Sequence, residues 1–322
     1  MKSPGISGAF LLSAVPGRPV GAGCGSGATM LQYVEPVFRP PSEARSLILQ
    51  ITVGCSHNRC AFCGMYKMKR FRLKPLAEIF AELAGLPPRW CVTVDRVFLA
   101  DGDALVYPFA ELCLILDRLA AYFPALTRVG SYASPNSLTT KGPEQLALLR
   151  EKKLRILYLG LESGDERTLA AIGKGFTAGE LAGEALKARQ AGMKLSVTAI
   201  LGLAGRSRSL EHARATAAWV SRVAPEYFSL LTLFQRHNEQ FIGSLEQCTR
   251  RQLLMEAREL LTALNPVRTI LRSNHVSNFL SLAGNYPRDR QRLIQQVDQT
   301  LAAMERLPGY LDSIPGYEEA YY

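Results

Sequence analysis

The chain has 322 residues, 48% of them hydrophobic and 20% charged, with a formal net charge of +10. That balance belongs to a globular protein with a large core, and one α/β barrel accounts for the length. No run approaches the roughly 18–20 consecutive apolar residues of a membrane span. The positive charge, largely arginine and spread along the chain, is compatible with nucleic acid or with small anions and selects neither.

Residues 1–30 are rich in Gly, Ala, Ser and Pro and have neither a helical nor a strand period. They are expected to form a disordered extension, with Met30 as an alternative start. The apolar centre "AFLLSAV" is short for a secretory signal, and "GAGC" at Cys24 lacks the leucine a lipoprotein site favours. The seven cysteines form one tight group and four isolated positions, Cys24, Cys91, Cys113 and Cys248. This is not a secreted disulfide framework and points to a reducing, cytoplasmic setting. The isolated ones read as small buried hydrophobes.

From residue 47 onward, short apolar runs alternate with amphipathic ones. Strands are expected at 47–53, 96–100, 126–132, 155–161, 194–201 and 226–233. Helices are expected near 75–85, 108–122, 142–153, 177–191 and 209–223, each with apolar residues three and four apart. The "TAGE" at 177–180 is a capping signal. Continuously apolar strands separated by crossover helices imply a parallel sheet buried on both faces. Six βα units give either a doubly wound sheet or an open barrel, with function at the carboxyl ends of the strands in both cases. From about residue 244 to 322 the chain reads as a mostly helical elaboration on a core spanning 31–243. It carries one further strand candidate at 267–273 and a last helix near 287–305.

The first strand runs into "GCSHNRCAFCGMYK", residues 54–67, where Cys55, Cys60, Cys63 and His57 fall within nine positions. Zinc would take three thiolates and an imidazole, but its structural sites usually join ligand pairs from separate segments. An iron–sulfur cubane given three thiolates keeps one iron open, which is a reactive arrangement. On the loop alone both readings stand.

C-x4-C-x2-C with an aromatic, Phe62, before the last cysteine and directly after a first strand resembles the radical S-adenosylmethionine (SAM) superfamily. The usual spacing there is C-x3-C, so this loop is one residue longer. Downstream, "ADGDAL" 100–105 resembles the family's Gly-Gly-Glu-Pro motif, with Gly102 and Asp103 placed to meet the methionyl amino group. "LGLESGDERTL" 159–169 resembles a segment of oxygen-independent coproporphyrinogen oxidases, tRNA methylthiotransferases and the Elongator catalytic subunit. By that likeness Glu162 and Ser163 are candidates to meet the ribose or the methionyl carboxylate, and Lys174 to pair the carboxylate. "VTAILGLAG" 197–205, with Gly202 and Gly205, is similar to the segment that lies along adenine. The matches come in order, each at a strand end, and cover residues 47–235.

The resemblance implies a partial, open (β/α)6 TIM-type barrel with a mostly helical C-terminal extension. It also implies a [4Fe–4S] cluster on Cys55, Cys60 and Cys63, whose open iron binds SAM, with reductive cleavage to a 5′-deoxyadenosyl radical that takes hydrogen from a substrate. Phe62 is a candidate to shield the cluster, and His57 becomes a bystander. A low-potential electron donor such as flavodoxin or ferredoxin is implied as partner. The cofactor carries the difficult chemistry and the protein positions it and excludes water.

Specificity is expected outside the shared core, where "LFQRHNEQ" 233–240 and "SNHVSNF" 273–279 concentrate polar groups. Gln235, His237, Asn278 and His275 are pocket candidates, His275 as acid or base, while Ser277 reads as a turn cap. A small metabolite is the preferred substrate and tRNA the second. The rival class is a non-catalytic zinc-binding nucleic-acid or scaffold protein.

Overall fold

The computed structural model describes residues 31–234 and 237–315, so the expectations for residues 1–30 and for Gln235 fall outside it. One sheet organises the chain. Its strands are β1 (Leu47–Gln50), β2 (Arg96–Ala100), β3 (Arg128–Ala133), β4 (Leu154–Glu162), β5 (Lys194–Leu201), β6 (Tyr227–Thr232), β7 (Thr269–Ser273) and β8 (Leu282–Tyr286). They lie side by side in chain order, and the first and last are not paired to each other. All neighbours are parallel except β7 and β8. This is the open α/β barrel with its expected six strands. The C-terminal segment adds the candidate strand at 269–273 and an antiparallel edge strand that periodicity does not announce.

The helices between strands match the amphipathic runs: Leu76–Ala84, Phe109–Tyr122, Pro143–Glu151, Ala178–Gln190 and Ser209–Val223. Thr177 and Glu180 form the expected capping box, each side chain taking the other's backbone N–H. The helices cover the convex face of the sheet, where Leu99, Val129, Leu157, Val197, Phe228 and Leu271 belong to one large buried cluster. None of the described helices is long and apolar enough to cross a membrane.

The concave face has its own smaller core of Val37, Ile48, Phe98, Ala100, Ile156 and Tyr158, with Tyr132 and Tyr227 against it. A short helical turn at Pro41–Glu43 closes this face. Its Glu43, fully buried, receives Tyr158 Oη, Ser46 Oγ and the Arg128 guanidinium. Gly130 faces that carboxylate: a Cβ there would stand 3.1 Å from Glu43 Oε1. A buried carboxyl group with three partners is a fixed plug over this part of the face.

Candidate active site at the carboxyl ends of the strands

The cysteine loop leaves β1 through a two-residue strand, Thr52–Val53, which pairs antiparallel with Arg72–Leu73 and closes the loop at its base. Beneath it lies a buried ion pair. Lys69 Nζ stands 2.7 Å from Asp101 Oδ2, and both side chains are at most 2% exposed. Asp101 Oδ2 also accepts from Gly54 N at 3.1 Å and Gln50 Nε2 at 3.2 Å, while Lys69 donates to the carbonyls of Val34 and Pro36, both at 2.6 Å. Tyr66 lies against Gly102, where any Cβ would meet its ring at 2.6 Å. Gly102 is thus a packing requirement of the loop.

Three residues between the first two cysteines each reach a different anchor. Ser56 Oγ donates to Asp103 Oδ2. His57 Nε2 lies 2.8 Å from the carbonyl of Gly173, and its ring covers Gly175. Asn58 Nδ2 donates to the carbonyls of Tyr66 (3.0 Å) and Lys69 (3.4 Å). With Ala61 N bonded to the carbonyl of Ile172 at 2.8 Å, the loop is stitched to the segment that carries Lys174.

That stitching sets the charges around the thiols. Lys174 Nζ is 3.1 Å from Glu162 Oε1, and both side chains are largely buried. Burial alone would lower the Lys174 ammonium, but Glu162 and the thiols of Cys60 and Cys55 outweigh it and hold it above its ordinary value. Glu162 owes its direction to backbone geometry: the β4–β5 register slips between Gly160 and Glu162, and Glu162 takes a left-handed φ of 64°. Its carboxylate then lies across Gly160, where a Cβ would collide with it. Burial raises all three cysteine thiols, Cys63 to about 12, and each lies close enough to the others' neighbourhood for their charges to interact. Among the described residues no three His, Cys, Asp or Glu side chains are gathered as a single ion would need.

The other candidate residues are engaged within the protein. Asp103 is fully buried and already engaged: besides Ser56 it receives Ser134 Oγ at 2.6 Å and Ser134 N at 3.0 Å. It ties the cysteine loop to the end of β3, and burial, opposed by these hydroxyls, raises its carboxyl. Ser163 Oγ accepts from Asp165 N at 2.9 Å and shapes a turn. Gly202 (φ 80°) and Gly205 (φ 73°) abut Leu253 and residues 245–246, so the C-terminal segment occupies the space their missing side chains leave. Gly202 N is bonded to Glu256, which also holds His212 at 2.8 Å. Phe62 is packed against the main core, and its carbonyl accepts from Asn238 at 2.6 Å.

At the ends of β6 and β7, Asn278 bridges Thr232, Leu230 and Ser273, and Ser277 Oγ receives Thr232 N at 3.1 Å. His275 Nδ1 accepts from Ser277 N at 3.1 Å, which leaves the hydrogen on Nε2, and Nε2 is buried without a partner. Burial pushes this imidazole down to about 4. Burial thus favours the neutral ring, with its N–H at Nε2. His237 is exposed.

Sequence reasoning missed the Lys69–Asp101 pair, Ser56, Ser134 and Gly164. Gly164 packs against the backbone of Ala215 and Thr216, where a Cβ would come within 2.6 Å of Thr216 Cα. The signal available was the glycine of "ESGD" itself.

Against known proteins, the sequence profile described as the radical SAM superfamily matches residues 49–217, from the end of β1 to the helix after β5. The chain belongs to the radical SAM superfamily. It is accordingly an enzyme that works with a [4Fe–4S] cluster and SAM. Over 178 residues it is 29% identical to the tRNA-2-methylthio-N(6)-dimethylallyladenosine synthase of Verminephrobacter eiseniae, covering 52% of this chain and 38% of that one. Over 145 residues it is 32% identical to the enzyme of the same name from Dehalococcoides mccartyi (strain ATCC BAA-2100 / JCM 16839 / KCTC 5957 / BAV1), covering 44% and 33%. The chain spans little more than a third of the length of these curated relatives. Among solved structures, methylornithine synthase resembles it at 15% identity and a TM-score of 0.49, with 81% of each chain covered.

Proposed function

We propose that Cys55, Cys60 and Cys63 hold the cluster of this radical SAM enzyme, leaving one iron for SAM, and that Lys174 receives the methionyl carboxylate. When bound, the cluster and SAM together supply a strong hydrogen-abstracting radical. The observation that carries this reading is the latch of the cysteine loop onto Ile172 and Gly173, which places a buried ammonium beside the thiols of Cys55 and Cys60, where it opposes the burial that raises them. Ligation requires thiolates, and a nearby cation favours that form. Glu162 holds Lys174 in place and yields part of that contact to the incoming carboxylate. Asp103 serves as a clamp between Ser56 and Ser134, His57 as the latch, and Phe62 as cover on the side of Asn238. We take residues 31–243 as the catalytic core and 244–322 as its elaboration. A flavodoxin or ferredoxin would be the electron donor, and a small molecule the substrate. The second reading, tRNA, is favoured by the methylthiotransferase relatives.

Anaerobic reconstitution followed by metal analysis is the first test: about four irons with acid-labile sulfide are expected. One zinc and no iron would sink the assignment. Reduction in the presence of SAM is expected to release 5′-deoxyadenosine, and Cys60→Ala to abolish cluster and product together.

A further inference from the structure

On the concave face the apolar cluster draws on β1–β4 and on Tyr227 of β6, and the row beyond it on β5–β7 is polar. Strand pairing sets Gly160 beside Thr198, Thr198 beside Ser229, and Ser229 beside Arg272. Paired residues of parallel strands share a face. Phe228 and Leu271, one position back, belong to the helix-side core, so Ser229 and Arg272 stand on the concave side. Tyr227, two positions from Ser229, packs with the concave cluster and agrees. The row therefore runs from the bulge that aims Glu162 to the last parallel strand. Thr198 and Ser229 are half-buried and Arg272 is exposed.

The charge along this row is one-sided. Among the described residues Arg272 has no carboxylate partner, and its guanidinium donates only to the carbonyl of Leu271, at 2.8 Å. The acid nearest in register, Glu162, is paired with Lys174. Three residues beyond Arg272, His275 Nε2–H is another donor without an acceptor. Two hydroxyls and a guanidinium on one face, with an imidazole N–H three residues further along the chain and, among the described residues, no acid paired to the guanidinium, match an oxyanion. A guanidinium fork grips carboxylate or phosphate with two parallel bonds.

We propose that Thr198, Ser229 and Arg272 form an anion subsite in the substrate cavity, and that the substrate is a small molecule bearing a carboxylate or a phosphate. This rests on the reading of the cysteine loop as the place where reaction begins. It goes beyond that reading by naming the class of molecule acted on.

The test titrates the reconstituted full-length protein with inorganic phosphate and, separately, with succinate at constant ionic strength, reading the midpoint of thermal unfolding. A saturable rise with one anion is expected, and that anion names the group. Arg272→Gln should weaken its apparent dissociation constant roughly tenfold or more, and Ser229→Ala by a smaller factor. Arg155→Gln, an exposed arginine at the opposite, amino-terminal end of β4, should leave it unchanged. No saturable response, or an equal one in wild type and Arg272→Gln, overturns the proposal. So does a midpoint that responds only to bulk tRNA in an Arg272-dependent way, which would assign the row to an RNA backbone. Cluster content, measured on the same samples, reports separately on the cysteine assignment. An Arg272-dependent anion response in protein that has taken up no iron would sink that assignment and leave the subsite standing.

Discussion

Lys69→Met tests how the cysteine loop is held. The substitution keeps the apolar stem and removes the ammonium. Asp101 is left fully buried with Gly54 N, Gln50 Nε2 and the neighbouring Tyr66 as its remaining donors, and the carbonyls of Val34 and Pro36 lose the ammonium. Removing one partner of a buried pair costs about 3–5 kcal/mol, because the surviving charge stays out of water. That range is the expected loss of unfolding free energy near neutral pH. The sign of the pH dependence follows from Asp101. Burial already raises its carboxyl, and Lys69 is the main force opposing that rise. Without Lys69 the folded-state pKa climbs further above the unfolded one. A carboxyl raised in this way stabilises below its unfolded pKa and loses that contribution as pH rises through the folded value. The deficit of Lys69→Met should therefore be smaller at about pH 5 than at about pH 8. Adding Asp101→Asn should recover about 1–2 kcal/mol, since a neutral amide is less costly to bury. Guanidinium unfolding of the cluster-free protein, followed by circular dichroism, gives all three numbers. A deficit under about 1 kcal/mol, flat with pH, would refute the view that this pair anchors the loop.

Gly164→Ala should lower stability by about 1–3 kcal/mol in thermal unfolding, because the added methyl meets backbone atoms of the neighbouring helix that cannot turn aside. Burial alone would raise Asp165, but the Arg208 fork and two Thr168 donors hold it at about 2. Its depressed pKa contributes about 2 kcal/mol above the unfolded value, lost as pH falls from about 4 toward 2. Asp165→Asn should lack that acid-side slope when unfolding is compared across pH. Nitrogen-15 spectra of histidine-labelled protein should show His275 neutral with hydrogen on Nε2 at pH 6, protonating only near 4. A midpoint near the ordinary 6.5 would refute its burial.

The barrel was legible because its six core strands are apolar and β-branched and its helices carry a clean three-to-four period. Both are local properties of the chain. β8, "LAGNY", was not: an edge strand needs neither continuous burial nor strong propensity, and a glycine in its centre weakens the local signal. In the site, the cysteines and Lys174 stand out in the sequence as candidates because ligand chemistry restricts residue type and spacing, and the fold brings Lys174 beside the thiols of Cys55 and Cys60. Asp103 has partners that the sequence does not announce. A carboxylate at a strand end can face a ligand or gather neighbouring hydroxyls, and the serines that claim it, Ser56 and Ser134, stand 47 residues before and 31 after it. Partners that distant leave no mark in local pattern.

The long spacing between Cys55 and Cys60 has a physical reading once those partners are placed. A loop that only presented three thiols would need no polar residues between the first two. Here Ser56, His57 and Asn58 bind, in turn, the acid at the end of β2, the carbonyl beside Lys174, and the loop's own far limb. Asn58 turns the chain by adopting a left-handed φ of 41°, a conformation its short amide side chain tolerates. The extra residue thus gives the loop room to fix itself at three points before the second cysteine. On that argument His57→Ala should loosen the Lys174 side of the loop while leaving all three thiols present. The expected result is a cluster that assembles to full iron content but binds SAM more weakly, read by SAM titration. Full loss of iron in His57→Ala would instead make His57 part of the cluster's own support.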